Sequence, residues 1–254
     1  MTETWWPDAI PDPAPVGTGL AFSGGPPKGL LHTTEGSTYA GARAAFATHN
    51  SWPHFTLTYE TGRFVARQHL PIDVAARSLR NLAGGVQTNT DHVIQAEMVG
   101  YATAMAHVAP GYLDGIARWM RWVESAAGVR RRSPLVWKPY PDSYGADNGV
   151  RMSPADWDAY DGWCGHQHAP ENLHGDPGAI DIDYLLGEED SDMTGPEHDT
   201  LYAAAADAVA AKRYVVEVVI PKLEALDAKV GPGGIDLDAL AERVADKLAA
   251  RLAS

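Results

Sequence analysis

The stretch His54-Phe55-Thr56-Leu57-Thr58-Tyr59-Glu60-Thr61-Gly62-Arg63-Phe64-Val65-Ala66-Arg67-Gln68 decides the fold class. Residues 54 to 59 alternate apolar and polar with period two, the signature of a strand with one face buried. Glu60-Thr61-Gly62 is a turn, and Arg63 to Gln68 returns as the second arm of a hairpin. Working outward, Leu30-Leu31-His32 follows a Gly-Pro-Pro-Lys-Gly turn and reads as a short buried strand ending in a polar residue. Val93 to Val99 is a further strand. Between them, Ser37 to His49 spaces Tyr39, Ala42, Phe46 and Ala47 as a helix does. Gly111 to Ala127 places Leu113, Ile116, Ala117, Met120 and Val123 on one helical face. Ser153-Pro154-Ala155-Asp156 starts another helix: serine caps, proline fills the first turn, and aspartate favours the positive end. Ile180 to Leu186 is a short closing helix. Strands interleaved with helices predict an α/β domain, a mixed central β-sheet flanked by helices.

The flanks differ from this core. Residues 1–27 are rich in Pro and Gly and read as an irregular arm lying over a domain at 28–187. Residues 188–198 are an acidic linker, 199–230 a helical segment kinked by Pro221, and 231–254 a short amphipathic helix after a Gly-Pro-Gly-Gly break. Its stripe of Leu237, Leu240, Val244, Leu248 and Leu252 needs a partner, because so short a helix cannot bury it alone. The favoured partner is the rest of the chain or a second copy, which would make the protein a homo-oligomer through these C-terminal helices.

Composition excludes several functions. The chain has 254 residues and a formal charge of −13, a field that repels phosphate backbones, so no nucleic-acid partner is expected. One cysteine, Cys164, cannot form an internal disulfide. No window approaches the roughly 18 apolar residues that span a bilayer. The N-terminus lacks the basic and apolar regions of a secretory signal, so synthesis in the cytoplasm is expected.

The chemistry is densest in Gly165-His166-Gln167-His168-Ala169-Pro170-Glu171-Asn172-Leu173-His174-Gly175-Asp176-Pro177-Gly178. Pro and Gly exclude a regular helix, so Cys164 to Gly178 is expected to be a loop. Zinc takes His nitrogen and Asp oxygen, and a catalytic site leaves one position open. The loop alone holds enough ligands, with His168 an alternative to His166, but a loop preorganises them poorly. His32, at the end of a core strand, is the natural anchor.

The ordered set Leu31-His32-Thr33-Thr34, Pro53-His54-Phe55, Ile94-Gln95-Ala96-Glu97, Gly165-His166 and Asp176-Pro177-Gly178 resembles the type 2 N-acetylmuramoyl-L-alanine amidases, with their peptidoglycan recognition protein-like fold, over residues 28–186. The long His-rich loop looks most like endolysins of actinobacteriophages. The resemblance implies Zn2+ held by His32, His166 and Asp176, with catalytic roles for Glu97 and His174. It also implies a peptidoglycan substrate, cut between N-acetylmuramic acid and L-alanine outside the cell that made the protein. One departure is Pro53, where many members have Tyr. That loss shifts the chemistry onto Glu97 and His174. Two other readings stand beside it: a peptidoglycan-binding module without catalysis, and a zinc peptidase cutting within the stem peptide. No His-Glu-x-x-His helix supports the latter.

The remaining candidates have plainer readings. His168 is expected to make hydrogen bonds within the loop, His54 to support the site wall, and Cys164 to pack. His49, His69, His92, His107 and His198 follow no pattern and are read as surface. Arg130-Arg131-Arg132 reads as a solvated turn.

Overall fold

A computed structural model describes residues 3–187. The linker, the C-terminal helices and His198 lie outside the described residues. Six strands form one sheet: β1 (Ile10–Pro11), β2 (Lys28–Thr33), β3 (Phe55–Glu60), β4 (Arg63–Gln68), β5 (Val93–Met98) and β6 (Gly162–Gly165). Their order is β1-β4-β3-β5-β2-β6. Only the β3–β4 hairpin is antiparallel; β1 on β4, β3 on β5, and β5 and β6 on β2 are parallel. The helices are α1 (Tyr39–His49), α2 (Pro110–Ala127), α3 (Pro154–Ala159) and α4 (Ile182–Leu186). This is the mixed α/β sheet that the sequence predicts. Among the described residues, no helix is long and apolar enough to cross a membrane.

Every residue of β2 and β5 is buried, as expected of parallel strands covered on both faces. Alternation then divides the side chains. Leu31, Ile94, Ala96, Met98, Phe55 and Leu57 belong to one core cluster with the α2 face of Leu113, Ile116, Trp119, Met120 and Val123. Pro110 opens α2 at a position where a missing N–H costs nothing, and Gly128 (φ 76°) closes it by donating its N–H to the Glu124 carbonyl. The intervening positions of the strands, His32, Gln95, Glu97 and Thr56, are polar and buried. They occupy the sheet face opposite α2, where the site forms.

Packing across β2 and β6 depends on one absent side chain. A Cβ on Gly29 would lie 2.3 Å from ring carbons of Trp163, its register partner. Trp163 in turn sits edge-on to Trp119 at 5.3 Å and donates its indole N–H to Glu124 at 2.9 Å. Gly29→Ala is expected to displace that indole and destabilise the protein by about 1–3 kcal/mol, the usual range for overpacking. Urea unfolding checks this, and an unchanged midpoint would contradict it.

The structure corrects three expectations. The start of the supposed loop is not irregular: Cys164 and Gly165 belong to strand β6 (Gly162–Gly165), paired with Lys28–Leu31. A 3-10 turn, His166–His168, follows it. His69 is not a surface residue. It is 1% exposed, with Nε2 on Thr56 Oγ1 and Nδ1 on the Asp12 carbonyl. His92 is half-buried, its ring 4.6 Å from that of Phe22. Within residues 3–27 the structure has the two-residue strand β1, and Trp6 joins the core cluster.

Candidate metal centre

Two adjacent strands and the loop after them bring the candidate ligands to one place. His32 is the fifth residue of β2, and Glu97 on β5 is its register partner. His166 follows the last residue of β6, the neighbour of β2 on its other side. Thus both histidines stand at the carboxyl ends of adjacent parallel strands, the usual place for a site in an α/β sheet. The preorganisation expected from one core strand comes from two.

His32, His166 and Asp176 are all buried, and their donor atoms lie within 4.8 Å of one another. His32 Nδ1 is 3.1 Å from His166 Nδ1. His166 Nδ1 is 3.1 Å from Asp176 Oδ1, and His32 Nδ1 is 3.5 Å from Asp176 Oδ2. A tetrahedral ion with bonds of about 2.0–2.1 Å separates its ligands by about 3.3–3.4 Å. The observed edges bracket that spacing, so this donor set can hold a metal ion and suits zinc. The Thr33 N–H donates to Asp176 Oδ2 at 3.0 Å and fixes the carboxylate.

The electrostatics agree with a ligand set. Burial alone would raise the Asp176 carboxyl, but His166 and His32 outweigh it and hold it far below the usual carboxylate range. Burial lowers the pKa of His32 and so favours the neutral ring that a metal requires. Glu97 moves the other way: burial first, then the nearby charges of Asp176 and Glu35, push its carboxyl well above the ordinary value. Its Oε2 is buried without a hydrogen-bond partner. A buried carboxyl oxygen left unpaired is costly.

His174 stands at the rim. Its side chain is 67% exposed, its ring centroid lies 5.0 Å from that of His166, and its Nδ1 is 3.9 Å from Asp176 Oδ1. With Glu35, Ala102, Tyr140, Tyr144, Gly175 and Asp176 it lines a cleft of about 130 Å³. A larger concavity of about 540 Å³, lined by Phe64, Arg118 and Arg121 among others, holds none of the metal-binding residues. Of the candidate donor set, Asp176 lines the smaller cleft.

His168 is not part of the cluster. Its Nδ1 accepts from the Gly165 N–H and its Nε2 meets the Val136 carbonyl, the loop role expected of it. Cys164 packs in the core, and burial pushes its thiol up to about 12. Arg130 and Arg132 both pair with Asp161. His54 supports the wall: Nδ1 accepts from the Gln95 N–H at 3.0 Å, and Nε2 donates to the Val74 carbonyl at 2.7 Å. Burial pulls its pKa down from 6.5 to about 4. Between those values the unfolded chain binds a proton at His54 that the folded chain does not, so stability falls as pH drops through this window. The slope is about 1.4 kcal/mol per pH unit for one proton. In urea titrations from pH 7 to 4, His54→Gln should flatten the stability curve by about that amount. Parallel curves for the two proteins would contradict it.

Sequence reasoning missed three supports. Gln95 Oε1 lies 3.3 Å from His32 Nε2, and Asn172 Oδ1 lies 3.0 Å from His166 Nε2. The half-buried Arg151 guanidinium donates to the carbonyls of His166, Ala169 and His174 and so shapes the loop from behind. Gln95 was findable, being two residues before Glu97 on the same strand face. Asn172 and Arg151 carry no local signal.

Fold and donor set together define an α/β domain with a candidate metal centre. No family model matches the chain, and no curated protein matches it. Among solved structures, the hydrolase AmiA of Staphylococcus aureus in complex with its ligand is similar at 14% identity and TM-score 0.47, over 72% of this chain and 82% of that one. Two N-acetylmuramoyl-L-alanine amidases of Clostridium intestinale, the endolysin LysCS and LysC, are similar at 13% identity and TM-score 0.36. They cover 49% and 48% of this chain and 78% of each of their own.

Proposed function

We propose that this protein is a zinc-dependent amidase that hydrolyses the bond between N-acetylmuramic acid and L-alanine in bacterial peptidoglycan, as an endolysin of phage or prophage origin. The observation that carries the reading is the buried convergence of His32 and His166, at two strand ends, with Asp176 of the following loop, beside the Glu97 that pairs in register with His32. The substrate assignment adds the ordered motif resemblance to that geometry, and places its action at the cell wall.

Bound at those three residues, zinc would supply Lewis acidity, polarising a carbonyl oxygen and bringing the pKa of water to about 7. The chain's own groups do the rest. Glu97 Oε2, unpaired and in a dry setting, accepts a proton from attacking water and releases it to the leaving amide nitrogen. The same carboxyl binds the proton and returns it, so the exchange leaves Glu97 as it began. His174, at the cleft rim, donates a ring N–H to the carbonyl oxygen as charge develops there. Tyr140 and Tyr144, both exposed beside it, offer ring faces to the sugar or peptide flanking the bond.

Purified cell walls test the metal requirement. A turbid suspension should clear with the protein, stop clearing when a chelator is present, and clear again on adding zinc. Clearing that is indifferent to the chelator would sink the zinc reading.

A further inference from the structure

We infer that a buried amide clamp, built by Asn89, Gln95 and Asn172 on the backbone of Leu79 and Arg80, fixes the ring tautomers of both metal-binding histidines. It rests on the metal-site reading above and adds the residues that preorganise that site. The connector between β4 and β5 contributes neither a ligand nor a strand. Yet two consecutive residues of it anchor both rings.

The chain of constraint begins at backbone groups whose polarity is fixed. The Leu79 N–H donates to Asn89 Oδ1 at 3.0 Å, and Asn89 Nδ2 donates to the Leu79 carbonyl at 2.6 Å. That pair allows Asn89 only one amide orientation. Its Oδ1 therefore accepts from Gln95 Nε2 at 3.1 Å, which turns Gln95 Oε1 toward His32 Nε2. In parallel, the Arg80 N–H donates to Asn172 Oδ1 at 3.1 Å, and Asn172 Nδ2 donates to the carbonyls of Arg80 and Pro170. Asn172 Oδ1 is thereby turned toward His166 Nε2. An amide oxygen only accepts, so each neutral ring must carry its proton on Nε2. That leaves each Nδ1 as the atom available to a metal, and those two Nδ1 atoms are the ones that face each other and Asp176. The opposite tautomer would bury an N–H against the metal position and leave both amide oxygens facing lone pairs. All of these side chains are buried, so water does not substitute for a lost partner.

Gln95 and Asn172 are positioning residues, since they act through the rings. Outer partners of metal-bound histidines typically alter affinity by about 10–100-fold. The first test needs no variant. In metal-free wild-type protein with ¹⁵N-labelled histidine, assigned with His32→Gln and His166→Gln, both rings should carry a proton on Nε2. An unprotonated Nε2 on either ring, or averaging between tautomers, would overturn the clamp. The second test compares zinc affinities by competition with a chromophoric chelator. Asn172→Leu should weaken binding about 10–100-fold. Thr88→Val should leave it unchanged, since it removes hydroxyl bonds to the Arg80 carbonyl and Asn81 but spares the amides. Equal losses in both variants, or none in Asn172→Leu, would show a merely structural connector. Wild-type protein that has the expected tautomers but binds no zinc would instead defeat the metal-site reading.

Discussion

Replacing His166 with Ala is expected to remove zinc binding and to lower amide hydrolysis by at least about 10³-fold, the equivalent of about 4 kcal/mol of barrier. The loss should be this large because the residue has no substitute. His168, two positions on, has both ring nitrogens committed to Gly165 and Val136. His174 lies at the exposed rim, its Nδ1 3.9 Å from the carboxylate. Two ligands, one of them Asp176, would remain. Zinc content and turnover should fall together, whereas the far-ultraviolet spectrum of the folded protein should not change. Turnover that survived the substitution would place the chemistry elsewhere. Loss of wall binding with no turnover to lose would favour a non-catalytic binding module.

Glu97→Gln should separate the proton carrier from the metal. The replacement keeps the shape and removes the ionisable oxygen, so zinc content should be unchanged. We expect kcat to fall about 10²–10⁴-fold, the usual contribution of a positioned acid–base group, with KM little altered. Stability should hold or rise, because a buried carboxyl that is unpaired at Oε2 is replaced by a neutral amide. That combination, lower activity without lower stability, is what a structural glutamate would not give. A kcat unchanged by the substitution would remove Glu97 from the mechanism and leave His174 as the candidate.

Much of the scaffold was legible because its signals are local. The alternation of 54–59, the turn at Thr61-Gly62 and the striped face of Gly111–Ala127 each declare themselves within a dozen residues. His32 was legible as a strand end, and Asp176 and His166 as a spaced pair. What stayed hidden is held by distant partners. Gly-Trp-Cys-Gly has two glycines in four residues and little strand propensity, so β6 exists because β2 offers it an edge. His69 is buried because Thr56 and the Asp12 backbone both bond its ring. The segments 69–92 and 129–152 lack periodicity. Asparagine and arginine side chains order them by bonding backbone up to 92 residues away, as Asn172 does with Arg80. Such bonds leave no pattern in one sequence, and the supports of the metal site are made of them.

The proposed activity is the cutting of one particular amide. Purified peptidoglycan digested by the full chain, with its new amino termini labelled and the fragments identified by mass, tests it most directly. Labelled L-alanine should appear at the head of intact stem peptides, released with zinc and not with chelator. New termini inside the stem, or new reducing sugars with no free L-alanine, would contradict it.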